Sequence, residues 1–167
     1  MKLDVIIRAS NDGDVPAIAA IYGHHVLKGT GSFELDPPEE AEIARRRRDL
    51  VQRGFPWLVA ELNGSVVGYA YAGPFRAREA YRYTLEDSVY VHPESMGQGI
   101  GGALLKELIG LCRKGGFKQI LAVIGDSENL GSVRVHEACG FQHVGVMKAV
   151  GLKFDRWLDV VIMQLEL

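Results

Sequence analysis

The sequence has no long apolar run and few cysteines, and each scarcity excludes a class of protein. No segment approaches the ~20 apolar residues of a transmembrane helix, and the N-terminus lacks the apolar core of a signal peptide. Cys112 and Cys139 are the only cysteines, and no C-x-x-C spacing connects them. They indicate reduced core thiols rather than a disulfide framework or a zinc site. We therefore expect a cytoplasmic protein that does not act at a membrane.

An excess of charge of either sign is also absent. The formal net charge is -2, with 24% charged and 47% apolar residues, an ordinary balance for a globular protein. This balance gives no general attraction to nucleic acid. No internal repeat or low-complexity linker divides the 167 residues. The length therefore predicts one domain, residues 1–167.

One stretch carries most of the predicted chemistry, a strand followed by a glycine-rich loop. Residues 85–91 alternate apolar side chains with others, which predicts a half-buried strand that Pro93 stops. Four glycines then lie among the six residues 97–102, before apolar residues at helical spacing. Without Cβ atoms, the backbone at a helix N-terminus can approach a phosphate and offer it unpaired N–H groups. The loop therefore predicts a pyrophosphate site.

The same glycines formally match the dinucleotide pattern G-x-G-x-x-G, with Asp126 as the acidic residue further on. Two features disfavour that interpretation. Five residues, 92–96, separate the strand from the first glycine, and only 41 residues follow Asp126. A doubly wound sheet needs a tighter turn and a longer chain. The glycines could also merely end a strand, but four are more than a turn requires.

The rest of the chain predicts an α/β fold, a mixed sheet with helices on both faces. The Asn63-Gly64 pair predicts a hairpin between two strands. The predicted strands are residues 5–7, 57–62, 65–71, 85–91, 119–124, 142–150 and 158–165, and the predicted helices start near Pro16, Asp36, Gly99 and Gly131 and run to about Val26, Arg53, Lys114 and Cys139.

Two clusters of cationic or metal-binding residue types have ordinary explanations. Residues 45–48 are four arginines, which fan around a helix, and Glu42 can pair with Arg46 at i,i+4. No aromatic residues alternate with them to stack on bases, so we interpret them as a solvated face rather than a nucleic-acid site. His24 and His25 are adjacent and point to different faces, so we predict no metal site.

Two motifs give the chain a resemblance to the GCN5-related N-acetyltransferases (GNAT), over essentially its whole length. The acyl-CoA loop of that family is Gln or Arg, two residues, Gly, one residue, then Gly or Ala. Residues 96–101 match it, with Met96 replacing the polar first residue. The second motif follows about thirty residues later, with Asn129, Ser132 and His136 ahead of a Gly-Phe pair. His136 stands where the family commonly has a Tyr.

A narrower resemblance is to the phosphinothricin N-acetyltransferase group. It is carried by residues 83–91, 123–125, 132–138 and 151–159. The resemblance implies a mostly antiparallel mixed sheet, acetyl-CoA as co-substrate and no metal. It also implies a homodimer that acetylates the α-amino group of phosphinothricin, methionine sulfoximine or methionine sulfone. A protein N-terminal or lysine acetyltransferase and a non-catalytic acyl-CoA sensor stay open as alternatives.

Acetyl transfer to an amine needs a base, because an α-ammonium is mostly charged at pH 7. Glu86 is the predicted base, with Asp87 in reserve. In an extended strand Arg82, Thr84 and Glu86 share one face, so we predict that Arg82 binds the carboxylate of the substrate. If a bulge interrupts the strand, Arg76 on the preceding loop is the alternative. We expect direct transfer in a ternary complex, since neither cysteine lies near the loop.

His136 is a candidate acid for the leaving thiolate, with a structural core histidine as the alternative. Lys153 and Trp157 are candidates for supporting the site residues or for dimer contacts, and neither receives a definite role. The remaining site residues are predicted in two groups. The cofactor contacts are Val89, Tyr90, Val91, Met96, Gly97, Gln98, Gly99, Ile100, Gly101, Gly102, Asn129 and Ser132, and the substrate contacts are Phe75, Arg76, Arg82 and Glu86.

Overall fold

A computed structural model describes residues 4–167 and places all of their strands in one seven-stranded sheet. The spatial order is β1-β2-β3-β4-β5-β7-β6. Among the described strands only β4 and β5 run parallel, which confirms a mixed and mostly antiparallel sheet. The strands are β1 (Val5–Ala9), β2 (Trp57–Leu62), β3 (Ser65–Pro74), β4 (Thr84–Val91), β5 (Gln119–Gly125), β6 (Gln142–Lys153) and β7 (Arg156–Glu166).

Helices cover both faces of the sheet, as the sequence predicts. The helices are α1 (Val15–Lys28), α2 (Glu40–Gln52), α3 (Ile100–Lys114) and α4 (Leu130–Ala138). Successive strand residues point to opposite faces. Accordingly, Val59 packs in the cluster under α1 and α2, whereas Leu58 packs in the cluster under α3. Within the described chain no helix is both long enough and apolar enough to cross a bilayer.

The two parallel strands separate part of the way along, and this gap positions the site. β4 pairs with β5 only from Thr84 to Glu86. Beyond Glu86, β4 continues to Val91 and β5 to Gly125 without a recorded pairing between them. The glycine-rich loop and α4 begin beside this gap. A wedge-shaped opening therefore forms in the middle of the sheet.

Several predicted boundaries were wrong, and those at the β6–β7 turn and at the start of α2 have a local cause. β6 and β7 extend to a tight turn at Phe154 and Asp155, both in the left-handed region with φ of 52° and 53°. Asn and Gly usually occupy such turns, so this pair predicted a longer loop instead. α2 begins at Glu40 rather than near Asp36. A residue before proline is biased away from helical geometry, and two prolines occupy positions 37 and 38.

The arginine-rich helix is not wholly a solvated face, which corrects that interpretation for Arg47. Arg46 pairs with Glu42 as predicted, at 2.8 Å. Arg47 is only 7% exposed, and it donates to the Ser10 hydroxyl and carbonyl and to Asp12. A buried guanidinium with these acceptors ties α2 to the segment between β1 and α1.

Candidate active site

The gap between β4 and β5 opens into a cleft of about 840 Å³. Five segments line it: the connection that follows α1, the second half of β4, the glycine-rich loop, the end of β5, and α4 with the residues before it. A cleft of this size accommodates a small ligand with an extended part. Glu86 and His136 both line it.

The glycine-rich loop forms one end of the cleft. Gly97 and Gly99 have φ of 75° and 81°, which an L side chain rarely adopts. α3 starts at Ile100, so the first-turn N–H groups and the positive end of the helix dipole lie at this end. Gly97, Gly99, Gly101 and Gly102 line the cleft, and a Cβ on Gly102 would project into open space. This geometry fits a pyrophosphate.

Most of the predicted cofactor residues meet at the cleft, and Gln98 is the exception. Its side-chain amide donates to the Glu94 carbonyl instead. The cleft-lining members of the predicted set are Val89, Tyr90, Val91, Met96, Gly97, Gly99, Ile100, Gly101, Gly102, Asn129 and Ser132. Their contact with a cofactor stays a prediction.

His25 binds the open edge of β4, a contact that the sequence did not predict. His25 of α1 donates from Nε2 to the Val91 carbonyl at 2.7 Å, and it lines the cleft. Burial, partly offset by this bond, lowers the pKa of His25, which favours a neutral ring at pH 7. The two residues are 66 positions apart, so no local pattern connects them.

Asn129 and Ser132 begin α4 on the opposite wall. The Asn129 side-chain oxygen accepts from the Ser132 N–H at 3.4 Å and so caps the helix. Both residues also line the cleft. The cap explains Asn129 whether or not it touches a ligand, but it uses only the backbone N–H of Ser132 and leaves the Ser132 hydroxyl unexplained.

Glu86 has the environment of a base that works near neutral pH. Burial, together with the negative charge of Asp87, raises the pKa of the Glu86 carboxyl, and Arg76 partly opposes the shift. A carboxylate with a raised pKa accepts a proton more readily than an exposed one. Its pairing with Leu121 places it at the point where β4 and β5 part.

His136 and Asp87 form a buried pair in the wall of the cleft. The His136 side chain is 5% exposed and that of Asp87 is 2% exposed, with Nε2 and Oδ2 2.8 Å apart. His136 Nδ1 lies 2.7 Å from the Ser132 carbonyl oxygen, to which it donates. Burial would lower the pKa of His136, but the hydrogen bond and charge of Asp87 outweigh it and raise the pKa. The raised pKa favours the imidazolium form, in which Nε2–H donates to Asp87 and Nδ1–H to the Ser132 carbonyl.

This arrangement bears on the predicted acid role of His136. An Nε2 proton given to a thiolate would first have to leave the Asp87 carboxylate. The structure thus gives His136 a positioning role across the gap, while proton donation by it stays a prediction.

The predicted shared face of Arg82 and Glu86 was wrong. β4 starts at Thr84, and Arg82 follows a short helical turn, with its own φ and ψ of -58° and -20°. Its guanidinium donates to the Glu79 carbonyl and stacks 4.8 Å from the centre of the Tyr83 ring. Arg82 therefore does not share a strand face with Glu86, and it does not line the cleft.

Arg76 is the arginine whose charge reaches Glu86. It stacks on the Phe75 ring at 5.0 Å and lines a second, smaller groove of about 370 Å³ with Ala77, Arg78 and Tyr81. Apart from Glu86, the predicted substrate residues thus lie beside the cleft rather than within its lining.

Residues 29–33, which follow α1, also line the cleft and were not predicted to do so. The signals that could have marked them are long-range. Thr30 donates to Asp126 and Lys153 donates to the Ser32 carbonyl, across 96 and 121 positions.

Neither cysteine is built as a nucleophile. Burial raises the pKa of Cys112 to about 12 and also raises the pKa of Cys139, so both stay thiols at pH 7. Among residues 4–167, no three His, Cys, Asp or Glu side chains group as a metal ion would require.

Comparison with known proteins agrees with this architecture. The model of the Acetyltransferase (GNAT) family matches residues 19–141. The chain belongs to this family and is an acyl-CoA-dependent N-acetyltransferase. The resemblance drawn from the two motifs is confirmed.

Individual relatives cover nearly the whole chain. A phosphinothricin N-acetyltransferase of Alcaligenes faecalis is 51% identical over 95% of this chain and 80% of the relative. A methionine sulfoximine and methionine sulfone acetyltransferase of Salmonella typhimurium is 41% identical, over 96% of this chain and 94% of its own. The crystal structure of a phosphinothricin acetyltransferase from Sinorhizobium meliloti with acetyl-CoA has a TM-score of 0.95 and 45% identity, covering 100% of this chain and 89% of that one.

Proposed function

We propose that this enzyme transfers the acetyl group of acetyl-CoA to the α-amino group of a small amino-acid analogue of the phosphinothricin or methionine sulfoximine type. One observation carries the proposal: the half-buried carboxylate of Glu86 and a glycine-rich phosphate cradle line the same cleft. The relatives with these activities support the choice of acceptor.

The loop at residues 97–102 would hold the pyrophosphate of acetyl-CoA, because its first-turn N–H groups are unpaired and its glycines leave room. The acetyl thioester supplies an electrophilic carbonyl. Glu86 takes a proton from the α-ammonium group, directly or through a water, and the free amine attacks that carbonyl. The C–N bond forms and the C–S bond breaks as the thiolate leaves. The attacking nitrogen gives up its second proton, and the thiolate takes up a proton to become the thiol of CoA.

The acceptor's carboxylate is best assigned to Arg76. Its positive charge acts on Glu86, so a carboxylate bound to it would lie on the base side of the cleft. A guanidinium binds a carboxylate through two parallel hydrogen bonds. Arg82 retains the predicted role only if its bond to the Glu79 carbonyl is exchanged for the substrate.

The test is an acceptor panel with the purified enzyme and acetyl-CoA. Phosphinothricin, methionine sulfoximine, methionine sulfone and short peptides would be compared by kcat/KM, with CoA release as the readout. We expect the free amino-acid analogues to exceed the peptides by at least about 10²-fold, since a peptide lacks a carboxylate close to its amine. Faster acetylation of peptides would make the enzyme a protein acetyltransferase, and CoA binding without transfer would make it a sensor.

We also propose that the enzyme is a homodimer in the cytoplasm. β6 is the edge strand of the sheet, and Val144, Val146, Met147, Val150 and Leu152 on it are each more than 40% exposed. An apolar edge of this kind favours association with a second copy. Both cysteines are free, as in a reducing compartment. Sedimentation of the protein and of Val146→Lys tests the dimer, and a monomeric wild-type protein would contradict it.

A further inference from the structure

Residues 29–34, here called the acceptor loop, connect α1 towards α2 and are fixed on two sides. On one side the hydroxyls of Tyr22 and Ser32 lie 2.8 Å apart. Glu34 accepts hydrogen bonds from Tyr22 and from both terminal nitrogens of Arg46. These contacts join the loop to α1 and α2, the helices that precede and follow it.

On the other side the loop is held by the last residues of β6, far away in sequence. The Lys153 side chain donates from Nζ to the Ser32 carbonyl at 2.8 Å. Lys153 is only 3% exposed, and its other close partner is the Phe154 ring, 5.2 Å away. Burial of an ammonium group is costly unless it is paired, and burial lowers the pKa of Lys153. A buried ammonium directed at one loop carbonyl indicates a positioning role.

The second contact between β6 and the acceptor loop is the steric fit of Phe33 against Gly151. The Phe33 ring lies so close to Gly151 that a Cβ added there would overlap the ring. On its other edge the ring lies against Gly125, where an added Cβ would come within 2.8 Å of it. At Gly151 the three nearest atoms all belong to Phe33. Gly151, which has no side chain, therefore leaves the space that the Phe33 ring occupies, and this ring lines the cleft.

Glu86 and Tyr90 share one face of β4, and Tyr90 packs against Tyr22 of α1, so Glu86 faces the side of the sheet on which the acceptor loop runs from α1 to α2. We infer that Lys153 and Gly151 are positioning residues for acetyl transfer, because they seat the acceptor loop and so set the shape of the amine end of the cleft. Neither residue lines the cleft, and both act through Ser32 and Phe33. The inference rests on the proposed function, since it names what shapes the acceptor end of that same site. It predicts effects on the amine that spare acetyl-CoA.

The first test replaces Lys153 by Met, which keeps the apolar stem and removes the donor. We expect the KM for methionine sulfone to rise about tenfold, as for loss of a charged hydrogen bond, with the KM for acetyl-CoA changed by less than about twofold. The control is Lys148→Met on the same strand, whose side chain is 76% exposed and pairs with Asp159. It should change neither KM.

A second variant guards against misfolding of the first. Gly151→Ala should displace Phe33 and raise the amine KM. The double variant Gly151→Ala with Phe33→Leu should then match Phe33→Leu alone, because the clash is gone. If the alanine retains its full effect in the double variant, Gly151 does not act through Phe33 and the inference is overturned.

Hydrogen–deuterium exchange separates this inference from the proposed function. Lys153→Met should speed amide exchange in residues 29–34 whether or not any amine is acetylated. If the wild-type enzyme acetylates no amino-acid analogue, the proposed function fails while faster exchange still supports the positioning role. Unchanged exchange, or an equal rise in both KM values, would contradict the inference.

Discussion

The two ends of the cleft differ in the atoms that form them, backbone at one end and side chains at the other. At the cofactor end, five of the six residues 97–102 line the cleft and present mainly backbone, which the start of α3 orients. At the acceptor end, the Glu86 side chain and the acceptor loop line the cleft, and the end of β6 holds that loop through a contact across 121 positions. A backbone cradle is sensitive to an added Cβ, whereas an assembly of side chains is sensitive to the loss of a single donor.

The buried pair between the two ends offers the largest expected effect. His136 belongs to α4 and Asp87 to β4, so the pair holds the walls of the gap together. His136→Leu leaves the Asp87 carboxylate buried and unpaired, and we expect a loss of about 3–5 kcal/mol in the free energy of unfolding. Denaturant unfolding measures it.

The matched control is His143→Leu, which removes an exposed contact between histidine and the Glu137 carboxylate. It should leave the free energy of unfolding nearly unchanged.

The stability that the His136–Asp87 pair contributes should also depend on pH. Because folding raises the pKa of His136, this contribution is complete below pH 6.5, the ordinary pKa of histidine, and it is lost as pH rises through the raised pKa. A penalty for His136→Leu that grows with rising pH would refute this pairing.

At the cofactor end, a side chain on a left-handed glycine should act on CoA alone. Gly99→Val strains a backbone with φ of 81° and moves the first-turn N–H groups, so we expect acetyl-CoA affinity to fall by more than about tenfold. Calorimetry gives the dissociation constant. Gly110→Ala, in the same helix and facing open space, is the control. Equal affinity for a folded Gly99→Val would argue against the cradle.

At the acceptor end, the two arginines should differ. Arg76→Gln should raise the KM for methionine sulfone about tenfold, whereas Arg82→Gln should change it little, because only Arg76 acts on Glu86. An amine that lacks the carboxylate should be insensitive to both substitutions. The opposite ranking of the two variants would return the carboxylate site to Arg82.

The smallest effect is expected for the two cysteines, because neither end of the cleft depends on them. The Cys112→Ser/Cys139→Ser enzyme should keep its kcat to within about twofold, since burial holds both groups as thiols. Initial rates at varied amine and acetyl-CoA should fit a ternary complex. Isolation of a kinetically competent acetyl-cysteine would contradict direct transfer.

The contrast between the two ends explains what the sequence could predict. Adjacent residues determine the glycine-rich loop, the start of α3 and the Asn63-Gly64 hairpin, so the sequence predicts them. The alternation of apolar and polar residues predicts the order of the strands along the chain. Arg82 was misplaced because a short helical turn interrupts the extension assumed from β4.

The acceptor loop was missed for a related reason, and Lys153 was named without its partner. Nothing in residues 29–34 marks them as cleft residues, and the contact between Ser32 and Lys153 is made only once β6 folds beside the loop. His25 and its bond to the Val91 carbonyl belong to the same class.

The central claim is that Glu86 deprotonates the amine, and the pH dependence of Glu86→Gln tests it most directly. Because burial and Asp87 raise the pKa of Glu86, wild-type kcat/KM should fall as pH drops through that raised value. At pH 7 we expect kcat of Glu86→Gln to be lower by about 10²-fold or more, with acetyl-CoA affinity unchanged. The deficit should shrink towards about pH 9.5, where the free amine no longer needs a base. A deficit that stays constant over that range would contradict the account and make Glu86 a residue that only positions the substrate.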